Sequence, residues 1–130
     1  RTGQPVAGVR TADGRSLENP FAIVRRGVVA EGPGRENTTI GVVVTNARLS
    51  KAQAMKVAEM AQDGLARTIV PSHTPSDGDT LFALATGALT RDANVSQIGA
   101  LAAEATADAV IRAVSLARGV PGYPAASEIK

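Results

Sequence analysis

Asn37-Thr38 and Asp77-Gly78-Asp79 are the two places in this chain where residue types and spacing could do chemistry. A threonine hydroxyl is a poor nucleophile unless a base stands beside it. One economical solution makes Thr38 the first residue of a chain, so that its own α-amine is that base. An α-amine titrates near pH ~7.7–8.0, which suits proton transfer at neutral pH. Creating that terminus requires cutting the bond between Asn37 and Thr38. The same hydroxyl can do so by attacking the Asn37 carbonyl, giving an ester that water then opens. On spacing alone the plainer reading also stands: threonine is an ordinary first residue for a strand.

The second segment pairs two carboxylates. In an extended stretch, residues i and i+2 point the same way, so Asp77 and Asp79 would face one side. Gly78 between them lets the backbone pass close to another segment of the chain. Two carboxylates beside an ammonium would hold and orient it by charge-assisted hydrogen bonds. Taken alone, the same residues read equally as a solvated turn before a strand. Two ligands in three residues are too few for a divalent-metal site.

His73 is the sole histidine. A Ser/His/Asp arrangement could draw on Ser72 or Ser76 with His73 and Asp77, but neighbours in one loop rarely reach triad geometry. No G-x-S-x-G elbow accompanies them. His73 is therefore read as a loop residue with a structural hydrogen bond.

The elements that must position these residues follow from periodicity and punctuation. Residues 1–37 carry nine Gly or Pro residues, with a short strand expected near Pro5–Arg10, a turn at Asp13-Gly14, and an exposed loop at 31–36. From Thr38 to Asn46 the β-branched run TTIGVVVTN predicts a strand with two uncharged faces, suited to burial on both sides. Ser50 can cap a helix, and Gln53 can complete its capping box. Ala54, Val57, Ala58, Ala61, Leu65 and Ile69 follow its 3–4 spacing, and Pro71 ends it at the latest.

A loop then leads to a second doubly apolar strand, Thr80–Thr86. Asn94 with Gln97 starts the last helix. Its expected apolar stripe is Ile98, Leu101, Ala102, Ala105, Ala109, Ala113 and Leu116, and Gly119 stops it. The tail from Val120 to Lys130 is expected on the surface. Strand, helix, strand, helix, with both strands buried, implies helices covering a sheet and room for sheet on sheet.

Composition narrows the function classes. Lacking Trp and holding only Phe21, Phe82 and Tyr123 as aromatics, the core must be packed with Ala, Val, Leu and Ile. The formal charge of +2 comes from arginines spread over residues 1–37. That is neither a basic face nor a set of stacking aromatics, so no nucleic-acid partner is expected. Without cysteine, disulfides, a thiolate nucleophile and zinc–cysteine sites are excluded. A cytoplasmic location is expected, and no membrane partner, since no run reaches the ~18 apolar residues of a span. Because the chain starts at Arg1 with no Met, a fragment or one subunit of something larger is expected.

Several motifs recur together and in order: NTTIGVVVTNA at 37–47, DGLARTI at 63–69, PSHT at 71–74 and DGDTLFA at 77–83. In these the chain resembles the DmpA-type family of β-peptidyl aminopeptidases and L-amino-acid amide hydrolases, which includes the 6-aminohexanoate-oligomer (nylon-oligomer) hydrolases. The resemblance runs from about Asn37 to Ala88, more loosely through the last helix, and covers little of residues 1–30. It implies an α/β fold, a four-layer αββα sandwich to which this chain supplies about two core strands and two long helices. It further implies autocleavage into a large and a small chain. Residues 1–37 would end the large-chain region, and 38–130 would form the small, nucleophile-bearing region.

Residue by residue, Thr38 matches the small-chain terminus and nucleophile, Asn37 the end of the large chain, and Asp77 and Asp79 the acidic pair beside the nucleophile. Some relatives carry Ser at the nucleophile and Ser-Gly-acid at the later motif. Thr38 and Asp-Gly-Asp are nearer the nylon-oligomer pattern. The expected activity is an N-terminal-nucleophile amide hydrolase, acting through an acyl-enzyme on Thr38 without cofactor or metal.

The expected partners are the remaining large-chain region, which keeps the oxyanion-hole Asn, a small peptide or amide substrate, and further copies in a homo-oligomer. Two alternatives stay open. One is acyl transfer to an amine, as in the similar ornithine acetyltransferases; the other is an uncleaved relative with a binding or structural role.

Overall fold

A computed structural model describes residues 4–27, 38–90 and 92–129. The chain divides into two compact units, Arg1–Arg35 with Val110–Lys130, and Glu36–Ala109. Asn37, the expected end of the large chain, lies outside the described residues, as does the loop expected at 31–36.

In the first unit the expected strand near Pro5–Arg10 is reduced to a single antiparallel bridge, Arg10 to Leu17. The turn at Asp13-Gly14 is present, with Gly14 at φ 71° donating its N–H to the Thr11 carbonyl at 2.8 Å. The Thr11 hydroxyl and then the Arg15 N–H donate to the Asp13 carboxylate, and together they hold its pKa below the ordinary aspartate value. A short helix that periodicity did not suggest, α1 (Pro20–Arg25), follows. Asn19 caps it, with its side chain accepting from Phe21 N and Ala22 N, and Pro20 opens its first turn. That Asn-Pro pair is a helix-start signal in its own right. Near the tail, Val120 and Tyr123 form a bridge, and Ala126–Glu128 make one 3-10 turn.

The second unit holds the repeated strand and helix. β1 (Ile40–Thr45) and β2 (Thr80–Ala85) are parallel, in the register Ile40 to Thr80 through Thr45 to Ala85. Parallel neighbours need a crossover connection, and α2 (Lys51–Ala66) provides it. Its start is as the sequence predicts. Gln53 N donates to Ser50 Oγ at 3.3 Å, and Ser50 N donates to Gln53 Oε1 at 2.9 Å. The helix ends at Ala66 with Arg67 as its C-cap, so Ile69 falls outside it. Val57, Ala61, Gly64 and Leu65 are its buried residues, and it packs against β2, where Leu81 is buried. The mixed helix and parallel strand content makes the chain α/β.

Two expectations are corrected. First, the strands are not buried on both faces among the described residues. Ile40, Val42, Val44, Phe82 and Leu84, which the register places on one face, are 52 to 73% exposed. The opposite face, with Leu81, Gly41 and Val43, is the covered one. Periodicity reports what a strand is suited to meet, and no described element covers the outer face of this one.

Second, α3 (Val95–Leu116) buries a different stripe from the one expected. Leu101, Ala105, Ala109, Ala113 and Leu116 are exposed, and only Ala102 of the expected set is buried; the buried face is Gly99, Ala102, Ala103, Thr106 and Ala107. Close approach explains the shift. A Cβ added to Gly64 of α2 would strike the Ala103 carbonyl, Thr106 Cβ and the Ala107 N–H, and one added to Gly99 would strike Met60. Helices in contact at glycine select their smallest face over their most hydrophobic one. Among the described residues no helix is long and apolar enough to cross a membrane.

Candidate active site

Both candidate segments meet at the end of the sheet where the two parallel strands begin. Thr38 and Thr39 lead into β1, and Asp77, Gly78 and Asp79 lead into β2. Because the strands are parallel and in register, the two approaches run side by side.

The loop that delivers the acidic pair is closed by its own hydrogen bonds. Thr74 N donates to Asp77 Oδ2 at 2.8 Å, and Asp77 N donates back to the Thr74 carbonyl at 3.0 Å. Pro75 between them suits the first inner position of such a turn. Upstream, His73 holds a positive φ of 57°, which is uncommon outside glycine. Its Nε2 lies 3.3 Å from Gln62 Oε1 on α2. This is the structural hydrogen bond expected of it. No hydrogen bond links His73 to Ser72, Ser76 or Asp77 among those of the described residues, and the Asp77 carboxylate is turned to its own loop.

Asp79 reaches across to the other strand. Thr39 N donates to Asp79 Oδ1 at 2.7 Å, a short charge-assisted bond in a partly buried setting. On the other side of the same residue, Thr80 N donates to the Thr39 carbonyl at 2.9 Å. The Thr80 hydroxyl donates to the Gly78 carbonyl at 3.2 Å. Thr39 is thus gripped at both its N–H and its C=O by the segment 79–80. Its N–H belongs to the peptide that joins it to Thr38, so Asp79 fixes the first peptide after the Asn37–Thr38 bond.

Thr38 lies against Gly78. A Cβ built on Gly78 would sit 2.6 Å from Thr38 Oγ1 and 3.4 Å from its Cγ2. The segment whose approach Gly78 was expected to permit is therefore Thr38. Thr38 is exposed, whereas Thr39, Asp77 and Asp79 are half-buried. The structure brings together Thr38, Gly78 and Asp79, and places Asp77 in the adjoining turn. Among the described residues the hydrogen bonds of the two carboxylates come from backbone N–H groups, of Thr74 and Thr39.

Sequence reading passed over Thr39, Thr80 and Gln62. Their contacts depend on strand register and on the packing of α2, for which no local motif exists. Among the described residues no group of three or more His, Cys, Asp or Glu gathers as metal ligands would.

An α/β unit with a hydroxyl at the start of one parallel strand and carboxylates at the start of its neighbour is the class this site defines. The sequence profile of peptidase family S58 matches residues 2–127, and the chain belongs to that family, the DmpA family. It is similar to an uncharacterized aminopeptidase of Mycobacterium leprae, 50% identical over 101 residues, covering 68% of this chain and 28% of that protein. It is likewise similar to an uncharacterized aminopeptidase of Mycobacterium tuberculosis, 46% identical over 101 residues, with 68% and 29% covered. A 6-aminohexanoate-oligomer endohydrolase of Kocuria is 36% identical over 88 residues, with 59% of this chain and 25% of that protein covered. The chain thus spans between 25 and 29% of the length of these relatives.

Proposed function

We propose that the protein is a self-processing N-terminal-nucleophile amide hydrolase of the aminopeptidase or amidase class, with Thr38 as nucleophile. The observation that carries this reading is the seating of Thr38 against Gly78, beside the Asp79 carboxylate that holds the next peptide. The family and the names of the relatives favour it. Those names, aminopeptidase and 6-aminohexanoate-oligomer endohydrolase, make peptides with a free amino terminus and 6-aminohexanoate oligomers the first substrates to try.

In processing, Thr38 Oγ attacks the Asn37 carbonyl carbon, the Asn37–Thr38 C–N bond breaks, and the acyl group moves from nitrogen to oxygen. The proton lost by the hydroxyl ends on the freed nitrogen. Water then hydrolyses the ester, leaving a carboxylate on Asn37 and a free α-amine on Thr38. In turnover that amine takes the hydroxyl proton as Oγ attacks the substrate amide. It next gives the proton to the leaving amine, and a water activated by the same amine releases the acyl group. Asp79 keeps Thr38 fixed through the Thr39 peptide. Asp79 supplies negative charge beside the α-ammonium and the incoming substrate, Asp77 adds its charge from the adjoining turn, and the remaining large-chain region completes the pocket.

Trapping the acyl-enzyme tests the reading. The mature protein would be mixed with an aminoacyl p-nitroanilide, quenched in acid and mapped by mass spectrometry. The expected adduct is on the peptide beginning at Thr38. An adduct on Ser72 or Ser76 instead would move the nucleophile to the His73 loop.

A further inference from the structure

Gly78 is a glycine for a reason that backbone conformation does not supply. It is absent from the positive-φ glycines, so an L-residue could adopt its conformation. It is also exposed, so burial does not demand a small residue there. The nearest atoms a side chain would meet all belong to Thr38. The three nearest atoms to an added Cβ are Thr38 Oγ1 at 2.6 Å, Cγ2 at 3.4 Å and Cβ at 3.6 Å.

Gly78 cannot easily back away, because its carbonyl accepts from the Thr80 hydroxyl and its neighbour Asp79 is bound to Thr39. The Thr38 side chain can yield, by turning about its Cα–Cβ bond. An alanine at position 78 would therefore leave the strands in place and displace the hydroxyl.

We propose that Gly78 is a positioning residue that seats the Thr38 hydroxyl for attack, both on the Asn37 carbonyl and on substrate, by presenting bare backbone where any side chain would turn it away. This rests on Thr38 being the nucleophile. A β-branched residue has few open χ1 wells. With a methyl at position 78, threonine has one well that turns only hydrogen toward it, whereas serine, lacking Cγ2, has two. The two residues should accordingly be coupled with a recognisable sign.

The test uses the full protein and four variants: Gly78→Ala, Thr38→Ser, the two combined, and Thr38→Ala. Each is followed by the rate of cleavage at Asn37–Thr38, by kcat and KM on an aminoacyl p-nitroanilide, and by thermal melting. Gly78→Ala should slow processing and lower kcat by roughly 100-fold, the scale expected of a reacting atom misplaced by about 1 Å. Its KM and melting should stay near wild type. Thr38→Ser should lower activity in the wild-type background and cost less in the Gly78→Ala background, where the seat it would have lost is already closed.

Three results would overturn the inference: wild-type processing and kcat in Gly78→Ala, effects of the two changes that simply multiply, or loss of the melting transition in Gly78→Ala. Thr38→Ala tests the other reading separately. Activity there removes Thr38 as nucleophile, whereas an inactive Thr38→Ala with a fully active Gly78→Ala removes only the seat.

Discussion

The two ends of the β1–β2 sheet differ in what they offer. Where the strands end and α2 begins, an open hollow of about 490 Å³ is lined by Arg48, Leu49, Ser50, Gln53, Asp92 and Ala93. It has room and charge, and it lies at the carboxyl ends of parallel strands, where α/β sheets commonly bind ligands. Yet its Ser50 and Gln53 are spent on capping the helix, and its chain is tied down by the Leu89 N–H donating to the Asn46 carbonyl at 2.8 Å. Where the strands begin, a hydroxyl lies against bare backbone, and a carboxylate grips the adjoining peptide at 2.7 Å. The two ends differ in kind: one offers space, the other brings together groups that could react.

Substitutions at the two ends should separate accordingly. Thr38→Ala should have the largest effect, abolishing both processing and amide hydrolysis, because in the proposed mechanism one hydroxyl performs both attacks; full-length precursor on a gel and a turnover assay read the two losses. Next come Asp79→Asn and Asp77→Asn, each lowering kcat by about one to two decades. That corresponds to the roughly 1.5–3 kcal/mol of a hydrogen bond to a charged group. Asparagine keeps an acceptor oxygen for the Thr39 N–H, so a fully active Asp79→Asn with an inactive Asp79→Ala would reduce Asp79 to a backbone clamp. Chelator-sensitive wild-type activity would point to a metal role for the pair.

At the other end, Ser50→Ala removes the α2 cap and should cost about 1 kcal/mol of stability in denaturant unfolding, with turnover preserved. Arg48→Ala and Asp92→Ala should do least, changing kcat/KM by no more than about twofold, as surface changes away from a site usually do. A large loss from either would move the functional site to the hollow.

How much was legible in the sequence divides along the same physical line. Local chemistry could be read. The Ser50/Gln53 capping box and the Asn94 cap, with Gln97 N donating to Asn94 Oδ1 at 3.0 Å, stand where their residue types predict. The β-branched run at 38–46 and the apolar run at 80–86 became the two strands, and the need for close approach at Gly78 was visible in the Asp-Gly-Asp spacing.

Nonlocal geometry could not be read. The register that puts Thr39 beside Asp79 and Thr80 leaves no mark in either strand. In α3 a stripe of Ile, Leu and Ala looked like the buried face, but contact with α2, at Gly64 and Met60, favoured the side that carries Gly99 and Ala103. The apolar face of Ile40, Val42, Val44, Phe82 and Leu84 shows the same limit from the other direction. Its residue types call for burial, but residue types do not say which part of a protein supplies the cover.

Self-cleavage by Thr38 is tested most directly by the intact mass of the purified mature protein, combined with N-terminal sequencing of its smaller chain. The expected result is two chains, the smaller beginning Thr-Thr-Ile-Gly, with amide hydrolysis appearing as the precursor band disappears. A single chain with the Asn37–Thr38 bond intact and full hydrolytic activity would contradict it.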